Sequence, residues 1–188
     1  MKQLEDRILQ DGVIINNDIL KVDSFLNHQI DVQLTRAMAK EIAELYKSFQ
    51  PNKVLTIETS GIALAFAVAE EFNVPLVFAK KSKSAIVGTD VYSTNIVSFT
   101  RGINSTVTVS EKYLKRGDKV LIVDDFLASG NATIGLLDLC KQAGANVIGV
   151  AVAIEKGFQG GRDKLEAEGI KVHSCAFIKE FKNNKPVF

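Results

Sequence analysis

The sequence predicts an α/β protein, a central parallel sheet flanked by helices, and three observations carry that expectation. Apolar runs rich in Val and Ile alternate with segments of helical period from about residue 54 onward. The runs at 54–58, 76–79, 119–124, 147–154 and 171–178 are each close to the usual strand length of about 5–8 residues. Short loops rich in Ser and Gly follow the first and third of these runs and lead into helical segments, as βα units require.

Taken in order, the segment 1–31 contains a short amphipathic helix and then a stretch, 20–29, that fits no βα repeat. A cap over the ligand edge of the sheet is the expected place for it. Leu34, Met38, Ile42, Leu45 and Phe49 then form one apolar helical stripe, with Asp31 placed to cap its start. The strand at 54–58 runs into Thr59-Ser60-Gly61 and an Ala-rich helix over 62–72. After the next strand come Lys80-Lys81-Ser82-Lys83, and the polar, basic segment 81–90 is of the kind that a ligand orders. Segments 92–101 and 103–111, joined by Arg101-Gly102-Ile103-Asn104, predict an antiparallel hairpin arm. Thr133, Leu136, Leu137, Cys140 and Ala143 repeat the helical stripe, and Gly144 supplies its stop.

Composition narrows the function classes. With 188 residues, 46% hydrophobic and 24% charged, the chain is expected to fold as a single domain, 1–188, and is neither disordered nor disulfide-rich. Its 23 basic and 22 acidic residues leave a net charge of +1, too little for an overall field that would hold nucleic acid. The start is charged and leads into no signal-length apolar core, and no run could span a bilayer, so a cytoplasmic protein with no membrane partner is expected. Cys140 and Cys175 lie in apolar surroundings, as buried reduced thiols do.

The chemistry concentrates at residues 120–133, where an apolar strand brings Asp124 and Asp125 to a sheet edge and a Ser-Gly-Asn-Ala-Thr loop opens a helix. Carboxylates accept hydrogen bonds from hydroxyls, and a helix start attracts anions, so this order of parts suits a sugar phosphate. Thr59-Ser60-Gly61 forms a second loop of the same kind. With the lysines at 80, 81 and 83, the pattern suggests a ligand with two separate anionic ends. No Walker lysine and no G-x-G-x-x-G fingerprint is present. His28 and His173 read as structural.

Val123 to Asn131 resembles the phosphoribosyl-pyrophosphate (PRPP) signature of the type I phosphoribosyltransferases. Residues 20–31, Glu58-Thr59-Ser60-Gly61-Ile62-Ala63 and Glu155-Lys156-Gly157-Phe158-Gln159 are similar to the bacterial xanthine-using branch of that family, so the resemblance covers nearly the whole chain. One departure is Asn131-Ala132, where many members carry Gly and then Thr or Ser. It removes a hydroxyl donor at 132 and leaves phosphate contacts there to the backbone.

The resemblance implies the type I phosphoribosyltransferase fold, with an N-terminal hood over the base at about 1–31 and a flexible loop and hairpin at about 82–111. It implies transfer of the 5-phosphoribosyl group from PRPP to N9 of xanthine, with Asp124 and Asp125 on the ribose hydroxyls. Ala128, Ser129, Gly130, Asn131, Ala132 and Thr133 would cradle the 5-phosphate. Thr59, Ser60, Gly61, Lys80 and Lys81 would hold the pyrophosphate, with Mg²⁺ bound through PRPP rather than by a protein metal site. Leu20, Asn27 and Lys156 would contact the purine, Phe158 could stack on it, and Tyr92 and Ser93 would belong to a mobile hood. A homodimer is the implied assembly. A guanine or hypoxanthine transferase shares these features. A PRPP-sensing, DNA-binding regulator would add a basic winged helix, for which the near-neutral charge and the roughly 50 residues before the first sheet strand give little support.

Overall fold

The computed structural model describes residues 1–82, 90–97 and 104–188. Lys83 and Arg101 to Ile103, expected in the basic loop and the hairpin turn, lie outside the described residues. Strands β3 (Lys53–Ile57), β4 (Leu76–Ser82), β5 (Val91–Val97), β6 (Asn104–Ser110), β7 (Lys119–Leu127), β8 (Asn146–Lys156) and β9 (Val172–Ile178) form a seven-stranded sheet in the order β5-β6-β4-β3-β7-β8-β9. The five strands from β4 to β9 in that order are parallel. β6 runs antiparallel to β4 and to β5, which makes the expected hairpin arm. Winding reverses at β3, whose neighbours β4 and β7 carry the chain in opposite directions, so the strand ends there form the switch point at which open α/β sheets bind ligands.

Alternation along the central strands divides the core. Leu121, Val123, Ala151 and Ala153 pack with α2 (Val32–Tyr46) and α3 (Ile62–Phe72), while Val120, Ile122, Val150 and Val152 pack with α4 (Asn131–Ala143) and with Leu165 of α5 (Gly161–Ala167). Asp31 caps α2 as expected, accepting from the Leu34 N–H at 3.0 Å. The stripe on α2 needs correction at its end: Leu45 and Phe49 are exposed and Tyr46 is buried instead. Its hydroxyl donates to the Val150 carbonyl at 3.0 Å, in a space that Gly149 leaves open.

Two small hairpins lie outside the main sheet. The segment 1–31 forms α1 (Lys2–Asp11), a hairpin of β1 (Val13–Ile15) and β2 (Ile19–Lys21), and a turn of wide helix over Asp23–Asn27. Leu4, Ile8, Leu20, Phe25 and Leu26 join the core cluster that also holds Cys175, Ala176 and Ile178. The chain closes with β10 (Glu180–Lys182) and β11 (Lys185–Val187), joined through Asn183 and Asn184, both in the left-handed conformation a two-residue hairpin turn needs. Asn17 and Asn184 clasp the hairpin tips, each amide oxygen accepting the other residue's backbone N–H, at 2.7 and 3.0 Å. Among the described residues no helix is long and apolar enough to cross a membrane.

Candidate active site

Asp124 and Asp125 do not stand at the end of their strand, as the sequence suggests. β7 continues to Leu127 because β8 runs alongside it to Lys156, pairing Asp124 with Val152 and Leu127 with Glu155. The acids are therefore held in the ladder and buried, 5% and 7% exposed. Burial, and next the charge of Asp125, push the Asp124 carboxyl well above the usual carboxylate range. The Asp125 N–H, which Asp124 Oδ1 accepts at 3.0 Å, and the charge of Lys81 offset this in part. Such a pair is costly to ionise alone and is relieved by hydroxyl donors or a cation.

Two loops flank the pair. After β3, Thr59, Ser60 and Gly61 lead into α3, which starts without a side-chain cap. Gly61 lies directly on the acids: a Cβ there would stand 2.3 Å from Asp124 Oδ1 and 2.5 Å from Thr56 Oγ1. That Thr56 hydroxyl is buried and has no hydrogen-bond partner among the described residues. Glu58 accepts the Lys81 N–H at 2.6 Å and ties this loop to β4. After β7, Ala128, Ser129 and Gly130 turn into α4, with Gly130 at φ 80° and again no side-chain cap. Asn131, Ala132 and Thr133 form the first turn of α4, and Thr133 is buried.

The structure separates the two described lysines of the basic cluster. Neighbouring residues of a strand point to opposite faces, and the charge of Lys81 is felt at Asp124, so Lys80 faces away from the acid pair. Tyr92 and Ser93, expected in a mobile hood, lie in β5, paired with Val109 and Thr108. Gln142 of α4 donates to the Ser93 carbonyl at 2.9 Å and accepts its N–H at 3.3 Å, so this part of the hairpin is moored to a helix.

The expected purine contacts lie around the small hairpins. Lys156 is the last residue of β8, and its Nζ donates to the Asp18 carbonyl at 2.8 Å in the β1–β2 turn. The amine lies 5.6 Å from the centroid of Phe181, and Phe158 packs edge-on against that ring at 5.1 Å. Burial lowers the Lys156 pKa against the opposing charge of Asp18. Leu20 is buried in β2, whereas Asn27 is exposed at the end of the wide helix. Lys156 thus meets the hairpin that carries Leu20, while no hydrogen bond joins Asn27 to it among the described residues.

Sequence reasoning missed Phe181, the Asn17–Asn184 clasp and the ion pair of Glu155 with Arg162. The paired Asn residues in each tip were the available signal for the hairpins; the ion pair joins positions 155 and 162 and matches no helical contact spacing. Both cysteines are free and buried, as expected, with thiols pushed up to about 12 by burial. Cys175 lies with Glu41 and His173, their ligand atoms within 4.8 Å of one another. His173 Nε2 and Glu41 Oε1 already meet at 3.1 Å, which makes this a polar contact between α2 and β9.

Residues 21–183 match the phosphoribosyl transferase domain model. A xanthine phosphoribosyltransferase of Lactococcus lactis subsp. cremoris is 50% identical over 188 residues, covering 100% of this chain and 95% of that protein. The enzyme of the same name from Clostridioides difficile is 49% identical over 189 residues, covering 100% of both. Among solved structures, the adenine phosphoribosyltransferase of Rhodothermus marinus superposes with a TM-score of 0.76 at 22% identity, covering 95% of this chain and 100% of that one. The Giardia lamblia enzyme bound to 9-deazaadenine gives 0.78 at 23%, covering 93% and 97%. A buried acid pair between two uncapped helix starts, on a sheet of this order and with relatives this near, leaves one conclusion: the chain belongs to the phosphoribosyltransferase family.

Proposed function

We infer that the chain transfers the 5-phosphoribosyl group of PRPP to N9 of xanthine, forming xanthosine 5′-monophosphate and pyrophosphate. The observation that carries this reading is the contact of Gly61 with Asp124, which brings the β3–α3 loop onto the acid pair that the β7–α4 loop follows. Near-half identity over full length to proteins named for xanthine supports the choice of base.

In the reaction the N9–C1′ bond forms as the C1′–O bond breaks, pyrophosphate keeps the bonding pair, and the purine's N9 proton passes to solvent. The sugar carbon becomes oxocarbenium-like, so held geometry and exclusion of water matter more than a nucleophile. Asp124 and Asp125 accept from the ribose 2- and 3-hydroxyls and place negative charge near the developing cation. Residues 128–133 hold the 5-phosphate, and Thr59 to Gly61 with Lys81 hold the pyrophosphate. A buried acid pair whose ionisation is opposed fits a hard cation carried in with PRPP. Mg²⁺ bound with PRPP would neutralise the pyrophosphate charge.

Lys156 would meet the base from the strand end, with Leu20 and Asn27 supplied by the hood of segment 1–31. A cationic donor favours a purine with oxo acceptors over adenine, whose amino group donates. Lys80, on the opposite face of β4 from Lys81, would serve the site of a second subunit. Phe66 on α3 and Phe78 on the adjoining β4 are large exposed aromatics suited to a homodimer contact. A cytoplasmic salvage role fits this substrate pair. Guanine and hypoxanthine share the 6-oxo group, so steady-state comparison of the three oxopurines is the test. Xanthine is expected to give the highest kcat/KM, with Lys156→Met raising the xanthine KM about tenfold and leaving the PRPP KM unchanged. Faster turnover of adenine than of xanthine overturns the reading.

A further inference from the structure

Helix α5 stands behind the phosphate loop, and the reaction as derived gives it no part. Its first residue, Gly161, has no room for a side chain: a Cβ would stand 2.3 Å from the Ala128 carbonyl oxygen and 2.9 Å from the Gly130 nitrogen. From the other side, a Cβ on Gly130 would stand 3.1 Å from the Gly161 Cα. Lys164 donates to the Ser129 carbonyl at 2.8 Å. α5 therefore touches residues 128, 129 and 130 in turn, with the Ala128 carbonyl oxygen against Gly161 and the Ser129 carbonyl bound by Lys164. In a trans peptide the C=O and N–H point in opposite directions, so this contact aims the Ser129 and Gly130 N–H groups away from α5.

α5 is fastened by Arg162. Its Nε and Nη2 donate to the two carboxylate oxygens of Glu155 at 2.9 and 2.5 Å, and its Nη1 donates to the Val172 carbonyl at 3.0 Å. Glu155 is only 1% exposed, sits beside Leu127 in the ladder and directly precedes Lys156. A bidentate pair on a buried carboxylate fixes direction as well as distance.

We propose that Arg162 is a positioning residue for phosphoribosyl transfer: clamped by Glu155, it seats Gly161 behind residues 128–130 and so sets the phosphate loop against the strand end that carries Lys156. The proposal rests on the reading of residues 128–133 as the 5-phosphate cradle.

Steady-state constants for both substrates, with thermal melts, test it in Arg162→Lys, Gly161→Ala and Ser129→Asp. Arg162→Lys keeps a charge beside Glu155 but loses the fork. Gly161→Ala changes no charge and adds one methyl against the loop, so it decides the matter if the lysine variant does not fold. Both are expected to raise the PRPP KM about tenfold while the xanthine KM stays within about twofold. Ser129→Asp, a like charge placed in the cradle, is expected to raise the PRPP KM further. An unchanged PRPP KM in folded Arg162→Lys or in folded Gly161→Ala, or an equal rise for both substrates, overturns the positioning role while the cradle stands. A silent Ser129→Asp removes the cradle reading and the proposal with it.

Discussion

The β3–α3 loop and the β7–α4 loop each follow a buried strand and open a helix without a side-chain cap, yet their glycines answer different needs. Gly61 has ordinary right-handed angles, φ −68° and ψ −18°, which any residue adopts. Its missing side chain makes room for Asp124. Gly130, at φ 80°, is needed for conformation, since a left-handed backbone is unfavourable for other residues. One loop is cut to fit the acids and the other is bent to start a helix. α2 shows the alternative, a helix start satisfied by its own Asp31. The α2 start is satisfied by a side chain of its own, whereas α3 and α4 both start on a glycine that offers none.

The largest expected effect comes from the acids that both loops enclose. Asp124→Asn with Asp125→Asn is expected to lower kcat by about a thousandfold. Its effect on the free protein runs the other way. The folded-state pKa of Asp124 lies above its unfolded value, so its favourable contribution to stability is full below the ordinary carboxylate value and is lost as pH rises through the folded-state value. The melting temperature of the free double variant should therefore gain on that of the native chain as pH rises above the ordinary carboxylate value. Parallel melting curves would show that burial of the pair carries no such cost.

The two glycines separate next. Gly61→Ala should lower turnover about a hundredfold by displacing Asp124, with a smaller change in folding stability than in catalysis. Gly130→Ala should cost about 1–2 kcal/mol of backbone strain and a few degrees of melting temperature. Kinetics and melts on both variants check the contrast, and the same balance of kinetic and thermal loss in each would erase it. The smallest effect belongs to the capped helix. Asp31→Ala should cost about 1 kcal/mol in denaturant unfolding and leave kcat and both KM values unchanged. A kinetic change there would mean that α2 communicates with the site.

Much of this was legible from local pattern. The strand, acid pair and Ser-Gly loop are contiguous in sequence, so the proposed ribose and 5-phosphate end of the donor site can be read between positions 120 and 133. What escaped depends on distant partners. Leu45 and Tyr46 both continue the helical stripe, three and four residues after Ile42, and Gly149, far along the chain, opens the space that selects the tyrosine ring. The end of β7 is misleading in sequence because charge usually marks a strand's exit to water, whereas here β8 extends the pairing past both carboxylates. Lys80 and Lys81 read as one cluster until strand alternation divides them.

That extension of β7 bears on exchange and on adaptation. Amide protons around Asp124 should exchange with solvent only when the central sheet opens, far more slowly than those of the loops beside them. The carboxylates then cannot follow a misplaced sugar. A new donor would have to be accommodated by the loops, and a new base by the small hairpins, around a pair of charges whose coordinates are set by the stability of the whole sheet.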